Sequence, residues 1–112
     1  MKLIKRGEIW IIRGHGYGSK PRPGIVIQND DIQIESVTVV PLTTDRGEVE
    51  STRIPLLVRG PEISRLSFAM VDKVMPIRRI DFGPRVDVVD EKLLREIERA
   101  LAGHLDLHRD AA

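Results

Sequence analysis

A chain of 112 residues, 41% hydrophobic and 31% charged, describes one domain, residues 1–112, with a single modest core and no apolar run near the roughly 20 residues that span a bilayer. Its lack of cysteine excludes disulfides and thiolate metal sites, and its three histidines argue against a dedicated metal cage. Net charge is only +1, but residues 1–24 and 53–79 are basic (local +5 and +4) and residues 25–52 and 80–112 acidic (−5 and −3), so bringing the basic segments together would make a positive surface on a nearly neutral protein.

The start, MKLIKR, is too short and too charged for a signal peptide, and the missing cysteines fit a reducing cytoplasm. Glu8 to Arg13 (EIWIIR) reads as a β-branched and aromatic strand that enters a glycine-rich loop, GHGYG. In KPRPGIVIQND, Lys20 to Asp30, Arg22 stands between two prolines. Proline fixes φ and keeps the residue before it extended, so this arginine is presented from a stiffened backbone. Gly24 to Gln28 then predicts a second strand, apolar enough to be central and covered on both faces.

Ser36 to Thr43 (SVTVVPLT) predicts a third strand, with Pro41 arguing for an edge position or a bulge near its end. Arg53 to Val58 (RIPLLV) and Ser67 to Val74 (SFAMVDKV) follow as the fourth and fifth, the latter with Asp72 near its exit and Pro76 closing it. Ile77 to Ile80 predicts a short turn and Arg85 to Val89 a weak last strand. Asp90 suits the N-cap of a helix, and Leu93, Leu94, Ile97, Ala100, Leu101 and Leu105 recur along one helical stripe. The fold class is therefore mainly β with a C-terminal α-helix: five or six short strands curled into a small barrel that seats the helix.

The polar residues that stand out lie at strand ends: Ser19, Lys20, Arg22, Thr43, Thr44 and the Asp72-Lys73 step. Arginine is a permanently charged fork that fits phosphate, and a threonine hydroxyl can donate to the same oxygen. An Arg–Thr pair at neighbouring strand ends would clamp an oxyanion, although an arginine beside prolines also serves as an ordinary surface ion-pair residue. The chain has no Gly-rich phosphate loop of recognised spacing and no HExxH.

Taken in order, GEIWII, GSKPRPGIVIQND, VTVVPLTTD, RIPL, SFAMVDKVMPI and the helix EKLLREIERAL resemble the MazF/PemK family of toxin endoribonucleases. The resemblance runs from Ile4 to about Leu107 and is most specific in the GS…RP…ND and VxxLT segments. It implies a homodimeric SH3-like barrel that cleaves single-stranded RNA at short sequences, uses no metal or other cofactor, and is restrained by a cognate MazE-like antitoxin. By position it makes Arg22 and Thr43 catalytic and Ser19 substrate-binding, with Trp10 in packing and Asp72 at the family's VDQ-type step. Lys20, Thr44 and Lys73 are further candidates for substrate contact, and His15 a conventional acid–base candidate outside the family motif.

The chain departs from that pattern in a shortened first loop, in Gly24 where valine is usual, and in Lys73 where glutamine is common. Two other readings use the same barrel: a CcdB-like toxin that poisons gyrase through protein contact, and an RNA-binding module without catalysis. The C-terminal HRDAA lacks the tryptophan motif that the first of these requires.

Overall fold

The computed structural model describes residues 3–13, 20–47, 52–60 and 64–107. His15, Ser19 and the glycines Gly14, Gly16 and Gly18 lie outside them. Within the described residues the chain forms β1 (Glu8–Ile12), β2 (Arg22–Val26), β3 (Ser36–Thr43), β4 (Arg53–Arg59), β5 (Ser64–Met70), β6 (Met75–Arg78), β7 (Phe82–Val88) and α1 (Glu91–His104). All strand pairs are antiparallel, in the order β4-β5-β3-β2-β1-β7, with β6 on a second stretch of β3. The result is a strongly curled sheet, a half-barrel closed by α1. No described helix is long and apolar enough to cross a membrane.

β2 is central, as its composition predicts, but it starts earlier and ends sooner than Gly24–Gln28. Arg22 and Pro23 already pair with Ile12 and Ile11 of β1. At the other end Gln28 leaves the sheet to close the following loop. Its side-chain oxygen accepts from the Thr38 N–H at 3.0 Å and its amide donates to the Ile32 carbonyl at 3.0 Å.

Pro41 does not mark an edge. β3 pairs along one side with β2 (Val39–Pro41), and along the other with β6 (Ser36–Val39) and then β5 (Leu42–Thr43). Pro41 falls where that second side changes partner, the one place on an interior strand where a missing N–H leaves no ladder bond unmade. The predicted fifth strand is likewise divided. β5 ends at Met70, Val71–Lys73 turn as a 3-10 helix, and β6 restarts at Met75, so Asp72 and Lys73 belong to a turn rather than to a strand exit. The predicted turn Ile77–Ile80 begins inside β6, and the last strand reaches back to Phe82.

Side chains alternate between two apolar clusters. Ile9, Ile25, Val40, Leu42, Leu56, Ala69 and Val71 gather under Leu94 and Ile97 of α1. Trp10, Ile12, Val26, Val37, Val39, Ile77 and Phe82 fill the other face, with Trp10 and Phe82 packed edge to face at 5.9 Å between centroids. α1 starts as predicted, with Asp90 Oδ1 accepting from the Leu93 N–H at 2.8 Å. Its stripe ends sooner: Leu105 lies past the last turn and is 48% exposed.

Two glycines set close approaches. Gly7 has φ +90°, donates to the Val26 carbonyl and accepts from the Val89 N–H, both at 2.8 Å, and a Cβ there would stand 3.3 Å from Leu94 Cδ1. A Cβ on Gly24 would come within 2.8 Å of Ile12 Cδ1. The departure from valine at position 24 is thus matched by a buried isoleucine that occupies the space.

Glu8 ties β1 to β7. Its carboxylate accepts from the Lys5 N–H (2.7 Å), Trp10 Nε1 (3.1 Å) and Arg85 Nη1 (2.9 Å). Burial pushes its pKa up, but these three donors and the Arg85 charge more than offset that and hold it below the ordinary carboxylate value. A depressed folded pKa contributes stability above the unfolded value of about 4 and loses it as pH falls through the folded one. Glu8→Gln should therefore destabilise the fold by about 1–2 kcal/mol at pH 7, discounted for the exposure of Arg85. Urea midpoints of the two proteins should converge as the pH drops below about 4.

Candidate functional site

α1 covers one end of the first cluster and leaves the other open. Gly7, at the start of β1, lies against Leu94, whereas Ile11, near its end, lines a cleft of 580 Å³. Leu42 belongs both to the buried cluster and to the cleft wall, so the cleft floor is the exposed end of the core. Ile11, Pro23, Leu42, Val58 and Val86 supply its apolar surface. The size lies within the roughly 300–1,000 Å³ typical of ligand sites.

One wall carries the residues the sequence singled out. The β2–β3 register runs Val26↔Val39, Ile25↔Val40, Gly24↔Pro41; continued by two residues it brings Arg22 alongside Thr43 on the same face. Both line the cleft, as do Lys20 and Thr44. Thr43 is held in one rotamer because its Oγ1 accepts from the Asp45 N–H at 3.1 Å, which leaves the hydroxyl proton to donate outward. Arg22 is half-buried, with its backbone fixed by pairing to Ile12 and by the flanking prolines.

The rest of the lining was not anticipated. It consists of Arg59 at the end of β4 and Gly60 after it, with Arg65 and Ser67 on β5, where Arg65 pairs with Val58. Arg59 also links the two outer strands of the sheet. Its N–H donates to Asp87 Oδ2 at 2.9 Å, and its Nη2 donates to Oδ1 at 3.0 Å, joining β4 to β7 where no ladder is formed. Asp87 is pushed up by burial, yet the Arg59 N–H, the Arg59 guanidinium and the Val88 N–H together bring it below the ordinary aspartate value. It is therefore the anionic partner that holds Arg59. The described residues that line the cleft include four cationic side chains, Lys20, Arg22, Arg59 and Arg65, and no acidic one.

Lys73 does not join them. It sits half-buried in the turn Val71–Lys73, whose Val71 packs with Leu94 and Ile97 beneath the helix, and it is not part of the cleft lining. The sequence pattern merged that turn into a strand and so carried Lys73 to a strand end it does not occupy. Ser19 and His15 lie outside the described residues, and no His, Cys, Asp and Glu group among the described residues has metal-site geometry. Arg59 and Arg65 carried no motif; the one signal for them was the basic excess of residues 53–79.

Comparison with known proteins bears on what such a cleft does. Residues 5–105 match the family model described as the PemK-like, MazF-like toxin of type II toxin-antitoxin systems. A protein of Mycolicibacterium smegmatis named probable endoribonuclease MazF is 36% identical over 103 residues, covering 88% of this chain and 93% of its own. Among solved structures, the Mycobacterium tuberculosis toxin MazF-mt6 superimposes with a TM-score of 0.77 at 22% identity, over 91% of this chain and 99% of that one. A mycobacterial endoribonuclease solved in complex with its cognate antitoxin gives 0.72 at 22% identity, over 97% and 99%. At that identity the two structures bear on the fold alone.

Proposed function

The chain belongs to the PemK-like, MazF-like toxins of type II toxin–antitoxin systems, and from that premise we propose that its cationic cleft is the active site of an endoribonuclease that cuts single-stranded RNA. The observation that carries this is that Arg22 and Thr43 line one cleft whose described lining contains no carboxylate. Such a site attracts a phosphodiester and presents two different donors to its oxygens.

The reaction is attack by a ribose 2′-OH on the adjacent phosphorus. The 2′-O–P bond forms and the P–O5′ bond breaks, leaving a 2′,3′-cyclic phosphate and a 5′-OH. Negative charge grows on the non-bridging oxygens as the phosphorane develops. Arg22 supplies a fixed fork to them, and the Thr43 hydroxyl a third donor already oriented by the Asp45 N–H. The 2′-OH proton leaves and another reaches O5′. A guanidinium is not deprotonated in proteins, so Arg22 stabilises charge while solvent or His15, in the segment between β1 and β2, moves the protons. Ser19 belongs to the same segment and is assigned to substrate contact, and the steps as drawn call on no metal. The protein is placed in the cytoplasm as a homodimer, with a cognate antitoxin competing with RNA for the cleft.

Incubating the purified protein with a long single-stranded RNA in EDTA, and mapping the ends, tests this reading. Discrete cuts bearing 5′-OH ends are the expected result. RNA that is bound but intact would leave a nucleic-acid-binding module, and RNA neither bound nor cut would remove the nuclease reading.

A further inference from the structure

The mechanism uses only the β2–β3 part of the cleft. The β4–β5 hairpin adds two arginines that the scissile phosphate does not account for, Arg59 and Arg65, both lining the same cavity. Arg59 is set by Asp87: Nε and Nη2 donate to its two carboxylate oxygens at 3.4 and 3.0 Å, and the Arg59 backbone N–H donates to Oδ2 at 2.9 Å. A guanidinium has five N–H donors, so three stay available after that fork is made. Asp87 is only 10% exposed and Arg59 is 69% exposed, so a sheltered carboxylate anchors a cation that reaches into solvent at the cleft. Arg65 stands across the β4–β5 ladder from Val58, whose side chain lines the apolar floor. Ile11, Pro23, Leu42, Val58 and Val86 line the same cleft, an apolar surface against which a base or a ribose face can be buried.

We propose that Arg59 and Arg65 bind the phosphate next to the scissile one, so that the cleft grips two consecutive phosphates of an RNA strand with one nucleoside laid across the aliphatic floor. Asp87 is the positioning residue for Arg59. The inference rests on the endoribonuclease reading and adds to it a direction: the strand crosses from the β2–β3 wall to the β4–β5 hairpin. It also gives the ion pair that joins β4 to β7 a second use, since the same bond that ties the sheet edges sets the donor.

The test is a chemical double-mutant cycle on a short RNA spanning a cut site mapped with the parent protein, with deoxyribose at the cut to prevent cleavage. Each phosphate flanking the scissile one is replaced in turn by a neutral methylphosphonate, and Kd is measured by fluorescence anisotropy. One of the two replacements should weaken binding to the parent roughly tenfold. The same replacement should have no further effect on an Arg59→Gln/Arg65→Gln protein, whose salt slope should be smaller by roughly 0.7 for each phosphate that the protein no longer neutralises. Asp87→Asn should weaken binding in the parent background and add nothing to Arg59→Gln, a non-additivity that mere loss of stability would not produce.

A replacement that weakens parent and double variant equally would place the second phosphate elsewhere and overturn the inference, as would two replacements without effect. Arg22→Ala, assayed for cleavage on the all-ribose RNA, keeps the two levels apart. Cleavage lost in Arg22→Ala beside a null methylphosphonate result sinks only the second phosphate site; cleavage at the parent rate in Arg22→Ala takes the scissile phosphate away from this cleft, and with it the placement on which the second site depends.

Discussion

Arg22→Ala is expected to slow RNA cleavage by about 10²–10³-fold while leaving the melting curve close to that of the parent. The magnitude follows from what the side chain does. Its fork meets charge that develops in the transition state, in a cleft whose described lining offers no carboxylate to compete for it. Arg22→Lys is the informative control. It keeps the charge and loses the planar pair of donors, so activity should recover only in part. Thr43→Val should cost less, because it removes one neutral donor and keeps the shape, and Thr43→Ser should retain most of the rate by keeping the hydroxyl that accepts from the Asp45 N–H. Single-turnover rates on one mapped cut site, with melting curves run beside them, decide the matter. An Arg22→Ala protein that cuts within a few-fold of the parent would remove the clamp from the mechanism.

The largest effect on stability is expected at Ile97. It is fully buried on α1, against the cluster built from Ile9, Ile25, Val40 and Leu56. Cutting it to alanine removes three carbons from a close-packed site formed between a helix and a curled sheet, which costs about 3 kcal/mol. For a domain of this size that lowers Tm by roughly 10 °C or more. Ile80, 79% exposed, is the matched control, and Ile80→Ala should leave Tm nearly unchanged. The helix end of the cluster lies away from the cleft, so Ile97→Ala assayed well below its Tm should retain cleavage. A loss of activity in fully folded Ile97→Ala would mean that the helix controls the site as well as covering the core.

These two residues also show what was legible beforehand. Ile97 belongs to a helical stripe whose period and N-cap are local properties, and the helix was readable to within a residue at its start. Arg22 and Thr43 were legible by a different route: each sits in a short motif, and their juxtaposition follows from strand pairing once both strands are found. The division of β5 from β6 was missed because the polar pair Asp72-Lys73 is flanked by Val71 and Val74, both as β-prone as their neighbours, and two polar residues are too short an interruption to mark a 3-10 turn. Pro41 misled for a related reason. Proline reports that one N–H is unneeded, and an edge and a change of partner satisfy that condition equally. Arg59 and Arg65 were legible only as part of a basic excess, since surface arginines in a hairpin look alike until the fold shows which of them share a cavity.

The two-sided burial of β1, β2 and β3 has a consequence for how this architecture is encoded. In a half-exposed sheet the alternation of apolar and polar letters spells out alignment, and a slip of one position is punished at once. Here, at Ile11–Ile12, Ile25–Val26 and Val39–Val40, a slip would exchange isoleucine for valine or one aliphatic residue for its like, and the spelling at those positions carries little information. The addressing is instead concentrated in a few residues that fit one place only: Gly24 beneath Ile12, Gly7 in its left-handed turn against Leu94, and Pro41 where β3 changes partner. Aliphatic letters in these strands are free to drift among themselves, while those three positions form the rigid part of the code.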